Sequence, residues 1–125
     1  MKQKIQTEHA PKAIGPYSQA VKINNTVYFS GQIPLDPQTM QLVSEDFLIQ
    51  AEQVFLNLQA VVKAACGDFD SIVKLTVYLV DLAHFPIFND VMARYFNEPY
   101  PCRTTIQVTA LPKDAKVEIE AIMVL

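Results

Sequence analysis

Apolar residues recur at helical spacing through the middle of the chain. The pattern predicts one long helix with an apolar face made of Phe47, Ala51, Val54, Phe55, Leu58, Val61, Val62 and Ala65. Ser44 or Asp46 can cap the start of this helix. Gly67 can supply the left-handed residue that ends it, and Cys66 beside Gly67 is expected to be a small core residue.

Alternation of apolar and polar residues predicts strands on both sides of this helix. Ser18 to Ile23 and Thr26 to Gln32 are rich in β-forming residues, and Asn24-Asn25 between them tolerate the positive φ angles of a tight hairpin turn. Ile72 to Val80 has the period of a half-buried strand. Its apolar side is expected to meet the long helix and consists of Val73, Leu75, Val77 and Leu79.

The last part of the chain predicts a second helix and two more strands. Pro86 suits the first turn of a helix with an inward stripe at Phe88, Val91 or Met92, and Tyr95. Strands follow at Thr104 to Thr109 and at Val117 to Val124. The element order is therefore ββαβαββ or close to it, which predicts an α+β fold with a mixed β-sheet covered on one face by two α-helices.

The face of this sheet opposite the helices is predicted to remain partly apolar. Its apolar members are Ile106 and Val108 on one strand and Val117, Ile119, Ala121 and Met123 on the next. An apolar sheet face that no helix covers has to be buried by something else. We therefore expect further copies of the chain to cover it.

Composition and charge narrow the class of protein. A chain of 125 residues with 50% hydrophobic and 18% charged residues predicts one soluble domain, residues 1–125. No apolar run approaches the roughly 18 residues of a membrane span, and no secretory signal is visible, so a cytoplasmic location is expected. The two cysteines form neither a disulfide framework nor a thiolate metal site. A net charge of -3 argues against a nucleic-acid partner.

Several short blocks stand out along the chain. They are Gly15-Pro16-Tyr17-Ser18-Gln19-Ala20, Phe29-Ser30-Gly31-Gln32-Ile33-Pro34, Pro101-x-Arg103, Leu111-Pro112 and Val117-Glu118-Ile119-Glu120. Each block alone is weak, because Gly-Pro and Ser-Gly pairs are ordinary turn residues. In this order and at these distances they resemble the reactive intermediate deaminase family, in particular its RidA-type members, over essentially the whole chain.

The resemblance implies a chorismate-mutase-like α+β fold that assembles as a homotrimer with active sites in the clefts between subunits. It implies hydrolysis of reactive 2-imino acids and their enamine tautomers to 2-oxo acids and ammonia. Pyridoxal-phosphate enzymes acting on serine or threonine release these intermediates, and the implied role is to pre-empt the damage they cause. The implied substrates are 2-iminopropanoate and 2-iminobutanoate. No metal or organic cofactor is implied.

The resemblance gives the central roles to Arg103 and Glu118. Arg103 matches the arginine that holds the substrate carboxylate, which a planar guanidinium can bind through two charge-assisted hydrogen bonds. Its alternative role is a structural ion pair with Glu118, Glu120 or a chain terminus. Glu118 matches the glutamate that orients or activates the attacking water, an acid-base role worth roughly 100- to 10,000-fold. Glu120 shares the strand parity of Glu118, and the sequence alone does not rank the two acids.

Further positions match residues that line the family's pocket. Tyr17 and Ser30 match two of them, Gly31 would allow close backbone approach, and Asn89 matches an asparagine near the site. Each also has an ordinary structural interpretation. Tyr17 can simply pack, Ser30 can complete a strand end, Gly31 can permit a bulge, and Asn89 can be plain helix surface.

Thr105 stands where the family often has a cysteine, two residues after the arginine. A thiol nucleophile is therefore not expected to be required, and backbone groups near Thr105 are expected to hold the water or the imine nitrogen. Cys102 is not a relocated version of that cysteine. Strand parity places it on the face opposite to Arg103 and Thr105.

Pairing of the last two strands would separate the two central candidates. A hairpin centred near Lys113 would set Arg103 opposite Met123 and Glu118 opposite Val108, which leaves the candidates roughly 16 Å apart and on opposite faces of the sheet. Such residues cannot act together on one small molecule within a single subunit. We therefore hypothesise a composite site to which two subunits contribute.

Functions of other classes remain open at this level. A trimer that only binds or senses a small carboxylate would keep Arg103 and would not need Glu118. RNA cleavage or inhibition of translation has been attached to the family, but an acidic chain without a basic aromatic stripe supports it poorly. Chaperone-like action is also attributed to relatives, and no feature of the sequence points to it.

Overall fold

A computed structural model describes all 125 residues. The elements in chain order are β1 (Gln3–Ile5), β2 (Ala20–Ile23), β3 (Thr26–Gln32), α1 (Phe47–Ala64), β4 (Ile72–Leu79), α2 (Phe85–Met92), β5 (Cys102–Gln107) and β6 (Val117–Val124). Short 3-10 turns precede β4, α2 and β6. The predicted order is confirmed with one added strand, β1. The boundaries differ most at α2, which ends at Met92 and does not reach the predicted Tyr95, and at β5, which starts and ends two residues earlier than predicted.

The strands form one mixed sheet in the order β1-β2-β3-β6-β4-β5. Only β4 and β5 run parallel, and every other neighbouring pair is antiparallel. Both helices pack on the same face and share one core of 26 buried residues with the sheet. The predicted α+β architecture is therefore confirmed. Neither helix combines the length and the apolar composition needed to cross a membrane.

The predicted pairing of the last two strands is wrong. β5 lies at the edge of the sheet beside β4, while β6 lies between β3 and β4. The reason is the connection through α2, because parallel strands such as β4 and β5 need a long crossover, and the helix supplies it. The chain between β5 and β6 then passes β4 before it re-enters the sheet.

The predicted faces of β6 are also exchanged. Val117, Ile119, Ala121 and Met123 are buried beneath the helices and do not lie on the uncovered face. That uncovered face, here called the open face, carries the intervening residues Glu118, Glu120 and Ile122. On β4 a register shift between Ile72 and Lys74 moves Ile72 into the core and leaves Val73 45% exposed. The open face is consequently more polar than the sequence suggested.

The start of α1 agrees with the prediction, and its C-terminal end does not. Asp46 caps the start, where its carboxylate accepts a hydrogen bond of 3.2 Å from the amide of Ile49. At the other end the left-handed residue is Cys66, with φ 64°, and not Gly67. A Cβ on Gly67 would come within 2.5 Å of Met123 Sδ, so this glycine serves close packing against β6. Cys66 is exposed and does not belong to the core.

A buried amide ties α1 to the segment that follows β3. Asn57, only 1% exposed, donates through Nδ2 to the carbonyls of Ile33, at 3.1 Å, and Leu35, at 2.9 Å. Its Oδ1 accepts from Gln53 Nε2 at 2.8 Å. Backbone carbonyls inside a protein need such partners when no strand supplies them. This side chain therefore joins the segment after β3 to α1, while backbone hydrogen bonds such as that from Val43 to Pro34 shape the segment itself.

Substituting Asn57→Leu should destabilise the fold by about 1–3 kcal/mol, because two buried carbonyls lose their donor while the volume stays similar. Urea unfolding followed by circular dichroism measures the change. Gln59→Leu, on the same helix and without a side-chain hydrogen bond, is the matched control and should stay within about 0.5 kcal/mol of wild type. Equal effects of the two substitutions would contradict a specific role for Asn57.

Candidate active site

Arg103 projects from the edge strand β5 toward α2. Its Nη1 donates to Asn89 Oδ1 at 2.7 Å and contacts Met92 Sδ at 3.4 Å. The guanidinium carbon lies 5.1 Å from the centre of the Phe85 ring, a distance typical of a cation–π contact. Asn89 is thus a residue that orients Arg103, which is a more definite role than the sequence could assign.

No carboxylate of the chain pairs with Arg103. The only ion pair joins Arg94 to Glu52 at 3.9 Å on the exposed surface. The structural ion pair considered for Arg103 is therefore not formed within the subunit. Burial lowers the pKa of Arg103 because its charge is partly removed from water without a compensating anion.

A cavity of about 380 Å³ lies in front of this arginine. It is lined by Asn89, Met92, Ala93, Tyr100, Pro101 and Arg103. A guanidinium has five N–H donors, and the protein partners described above engage only Nη1. The remaining donors suit a planar anion such as a carboxylate.

Glu118 lies on β6, on the open face of the sheet. Its side chain makes no hydrogen bond to the protein, whereas burial and, to a smaller extent, the charge of Glu120 raise the pKa of Glu118. β3 comes very close at this point, and a Cβ on Gly31 would collide with Glu118 Oε2. The glycine is therefore needed so that the strand can pass the carboxylate.

Glu120 differs from Glu118 in having a donor. The Tyr78 hydroxyl donates a short hydrogen bond to Glu120 Oε1. This bond is the main reason why the pKa of Tyr78 is raised to about 12, with burial and the two carboxylate charges adding to it. Glu120 therefore has a hydrogen-bond donor inside the subunit and Glu118 has none, a difference that the sequence did not show.

Tyr17, Ser30 and Gly31 border a second cavity, of about 200 Å³, beside the position of Glu118. The ring of Tyr17 is 54% exposed after the left-handed Gly15, which has φ 126°. Ser30 donates through Oγ to the carbonyl of Ser18 at 2.6 Å. Its hydroxyl oxygen can still accept a hydrogen bond from a ligand.

Gln19 is a residue of this region that the sequence analysis did not single out. It is 4% exposed, its Nε2 donates to the carbonyl of Pro11 at 2.8 Å, and its Oε1 accepts from the amide of Thr7 at 2.8 Å. The side chain thereby holds the N-terminal segment that forms one wall of the cavity. The one feature of the sequence that could have pointed to Gln19 is its position in the block from Gly15 to Ala20.

The two groups of candidates lie apart within one subunit. Leu75 pairs with both Arg103 and Ala121, so Arg103 is level with Ala121, and Glu118 lies three residues further along β6. Two strand spacings of about 4.8 Å and three residues of about 3.3 Å put the Cα atoms about 14 Å apart. Arg103 faces the helices and Glu118 faces away from them.

Thr105 lies on the same face of β5 as Arg103. Its Oγ1 atom is buried and has no hydrogen-bond partner in the chain. A buried hydroxyl without a partner is uncommon and calls for an explanation. Cys102, by contrast, is exposed, and its thiol donates to the carbonyl of Val73 at 3.2 Å. The predicted parity of the two residues on β5 is confirmed.

The fold and these residues define a small α+β protein with a partly buried arginine that no carboxylate of the chain pairs and a separate, partly buried acid. The sequence profile described as Endoribonuclease L-PSP matches residues 7–125. The chain belongs to this family, and the resemblance to its RidA-type members is confirmed by the relatives that follow.

A 2-iminobutanoate/2-iminopropanoate deaminase from Capra hircus is 48% identical over 120 residues, which cover 96% of this chain and 88% of that protein. The crystal structure of RidA from an Antarctic Psychrobacter is 52% identical, with a TM-score of 0.95 and coverage of 98% and 99% of the two chains. The structure of E. coli TdcF with bound serine is 44% identical, with a TM-score of 0.93 and coverage of 98% of each chain.

The buried position of Glu118 predicts a pH-dependent effect on stability. Because burial raises the pKa of Glu118, the folded protein keeps this proton where the unfolded chain has already lost it. The associated stability is fully present below the unfolded value of about 4.3 and is lost as the pH rises through the raised folded value.

Substituting Glu118→Gln removes this loss, so the melting temperature of the variant minus that of wild type should be small at low pH and should grow toward neutral pH. Thermal unfolding measured across that range tests the prediction. Glu8→Gln, at an exposed position, is the control and should show no such trend. A constant difference at every pH would show that Glu118 ionises alike in both states.

Proposed function

We propose that the protein hydrolyses reactive 2-imino acids, with 2-iminopropanoate and 2-iminobutanoate as its substrates, to 2-oxo acids and ammonia. Its role would be to remove such intermediates after pyridoxal-phosphate enzymes release them. The observation that carries the proposal is the combination of Arg103, a cation without an anion, with Glu118, an acid without a donor and with a raised pKa. A relative named for this activity, 48% identical, supports it.

The proposed active site lies between two subunits of a homotrimer. Arg103 stands at the sheet edge and Glu118 on the open face, about 14 Å away within one subunit. A head-to-tail ring places the edge of one copy against the open face of the next, and such a contact closes into a trimer when successive copies are related by a third of a turn. The exposed apolar side chains Ile14, Tyr17 and Tyr100 supply surface for such contacts.

Arg103 binds the substrate carboxylate in this proposal. The guanidinium is held at Nη1 by Asn89 and is stacked near Phe85, which leaves the other donors directed at the cavity. Two parallel hydrogen bonds to the carboxylate orient the imine carbon as well as attracting the anion. Fixing the reacting carbon in this way reduces the entropy that the reaction would otherwise lose.

Glu118 carries the protons. As an acid it protonates the imine nitrogen, and as a carboxylate it then accepts a proton from the water that adds to the imine carbon. It next protonates the amino group of the tetrahedral intermediate. Finally it accepts the hydroxyl proton as the carbon–nitrogen bond breaks, which releases ammonia and the 2-oxo acid and returns Glu118 to its starting state.

Tyr17, Ser30, Gly31 and Thr105 complete the proposed site. The Ser30 hydroxyl can accept from the imine nitrogen, the ring of Tyr17 can cover the substrate, and Gly31 lets the strand approach Glu118. Groups at Thr105 can stabilise the tetrahedral intermediate. The reaction is redox-neutral and consumes only water, so the proposal includes no cofactor.

Binding of a small carboxylate without turnover is the second candidate function. It is favoured by one observation, the structure of the relative TdcF with bound serine. This function requires Arg103 and leaves Glu118 without a task. The two candidates therefore differ in what a Glu118 substitution should do.

Activity can be measured by generating the imine in place from threonine with a dehydratase and following its loss. The wild type should accelerate the loss, and Glu118→Gln should lower kcat/KM by about 100- to 10,000-fold. Arg103→Ala should lower it by about 100-fold or more, because a bidentate charged contact is lost. Arg94→Ala, at the exposed ion pair, should behave as wild type. An Arg103→Ala variant of full activity would exclude the proposal.

Mixed trimers test the origin of the site. When Arg103→Ala and Glu118→Gln subunits are unfolded and reassembled in equal amounts, about a quarter of the sites of a head-to-tail ring should receive both intact residues. The expected activity is therefore about a quarter of that of wild type treated in the same way. Each variant reassembled alone should stay inactive. Absence of recovery in trimers shown to be mixed would place both residues in one subunit's site.

A further inference from the structure

Tyr78, Glu118 and Glu120 form a cluster on the open face whose role goes beyond the steps above but rests on the proposed function. β4 and β6 are antiparallel, with Tyr78 directly opposite Glu118 and Thr76 opposite Glu120. The Tyr78 hydroxyl nevertheless reaches along the strand and donates to Glu120. Tyr78 therefore lies beside Glu118 but donates its hydrogen bond to Glu120.

The two carboxyl groups share a partly buried region in which neither forms an ion pair with a basic side chain. They are two residues apart on one strand face, which corresponds to about 7 Å between Cα atoms. The other titratable side chains on this face of the adjoining strands are Lys74 on β4 and Tyr28 on β3. Lys74 borders the same cavity as Glu120 but lies beyond ion-pair distance. A like charge at this distance disfavours ionisation of its neighbour, and here the charge of Glu120 acts on Glu118.

We propose that Glu118 and Glu120 share one proton and that the Tyr78 hydroxyl, by donating to Glu120, leaves this proton on Glu118. A donated hydrogen bond favours the charged form of a carboxylate, so the negative charge is better placed on Glu120. Glu118 has no donor and lies against the backbone of Gly31, so the shared proton is more stable on Glu118. Tyr78 and Glu120 are positioning residues, and Glu118 is the catalytic residue.

The direction of the electrostatic effects agrees with this assignment. Burial and the charge of Glu120 both raise the pKa of Glu118. The pKa of Tyr78 is raised to about 12, so its hydroxyl keeps its proton and stays a donor through the neutral range. The protonated form of Glu118 is the one that the first proposed step needs, because a neutral imine must gain a proton before water adds.

Carbon-13 NMR of the protein labelled at the glutamate carboxyl carbons tests the proposal without relying on activity. The chain has only six glutamates, and the variants Glu118→Gln and Glu120→Gln assign the two signals. In wild type the Glu118 signal should have a higher titration midpoint than the Glu120 signal. In Glu120→Gln its midpoint should move to lower pH, and in Tyr78→Phe it should move in the same direction by less.

Tyr28→Phe is the matched control. It removes a hydroxyl that lies on the same sheet face and makes no hydrogen bond, so it should leave the Glu118 midpoint unchanged.

The alkaline limb of kcat/KM should follow the Glu118 midpoint in each variant. Unchanged Glu118 titration in Glu120→Gln, or a proton found on Glu120 in wild type, would overturn the proposal. Where light scattering shows that Tyr78→Phe weakens assembly, the Glu120→Gln titration alone decides. Absence of deaminase activity would contradict the proposed function, whereas the titrations would still test whether Glu118 and Glu120 share a proton.

Discussion

The alternation of side chains along β6 is the constraint on which the rest of the structure depends. The strand lies between β3 and β4, and its inward residues Val117, Ile119, Ala121 and Met123 are buried beneath the helices. Burying each large apolar side chain is worth about 1.5–3 kcal/mol, so the core opposes a register slip that would turn these residues outward. The same alternation holds Glu118 and Glu120 on the open face. Core packing thus determines where the acid of the site can be.

Close backbone contact then determines the chemical state of that acid. β3 carries an irregularity between Phe29 and Gln32, and Gly31 within it passes directly over the Glu118 carboxyl group. The contact removes water from Glu118 without offering it a donor, so the proton is retained more strongly. Tyr78, on the other neighbouring strand, donates to Glu120. Two acids with the same strand parity consequently differ in their surroundings.

The arginine half of the proposed site is built by different elements. Asn89 and Phe85 on α2 hold Arg103 at the edge strand, and this group has no packing contact that would bring it to the open face. A single sheet has two faces and cannot fold one onto the other within a chain of this size. A second copy is the simplest way to unite the halves. In the proposed trimer, assembly and catalysis therefore depend on the same surfaces.

The sequence by itself determined what depends on neighbours along the chain. The spacing of apolar residues predicted α1 and left its cap to Ser44 or Asp46, of which the structure uses Asp46. The period of two predicted β6, and strand parity put Cys102 and Arg103 on opposite faces. Motif matches selected Arg103 and Glu118 as candidates. Their separation onto two faces was also anticipated, although the pairing used to derive it was wrong.

Tertiary structure decided everything that depends on which strands and side chains meet. Alternation separates the apolar residues of β6 from its acids, but it does not say whether the helices or another copy of the chain covers the apolar side, and it could not place β5 beside β4. The donor on Tyr78 and the close approach of Gly31 distinguish Glu120 from Glu118, and the contact with Met123 explains Gly67. Gln19 holds the N-terminal segment through hydrogen bonds to backbone groups eight to twelve residues away. Periodicity is a local property of the chain, whereas pairing, burial and hydrogen-bond partners come from residues that the fold brings together.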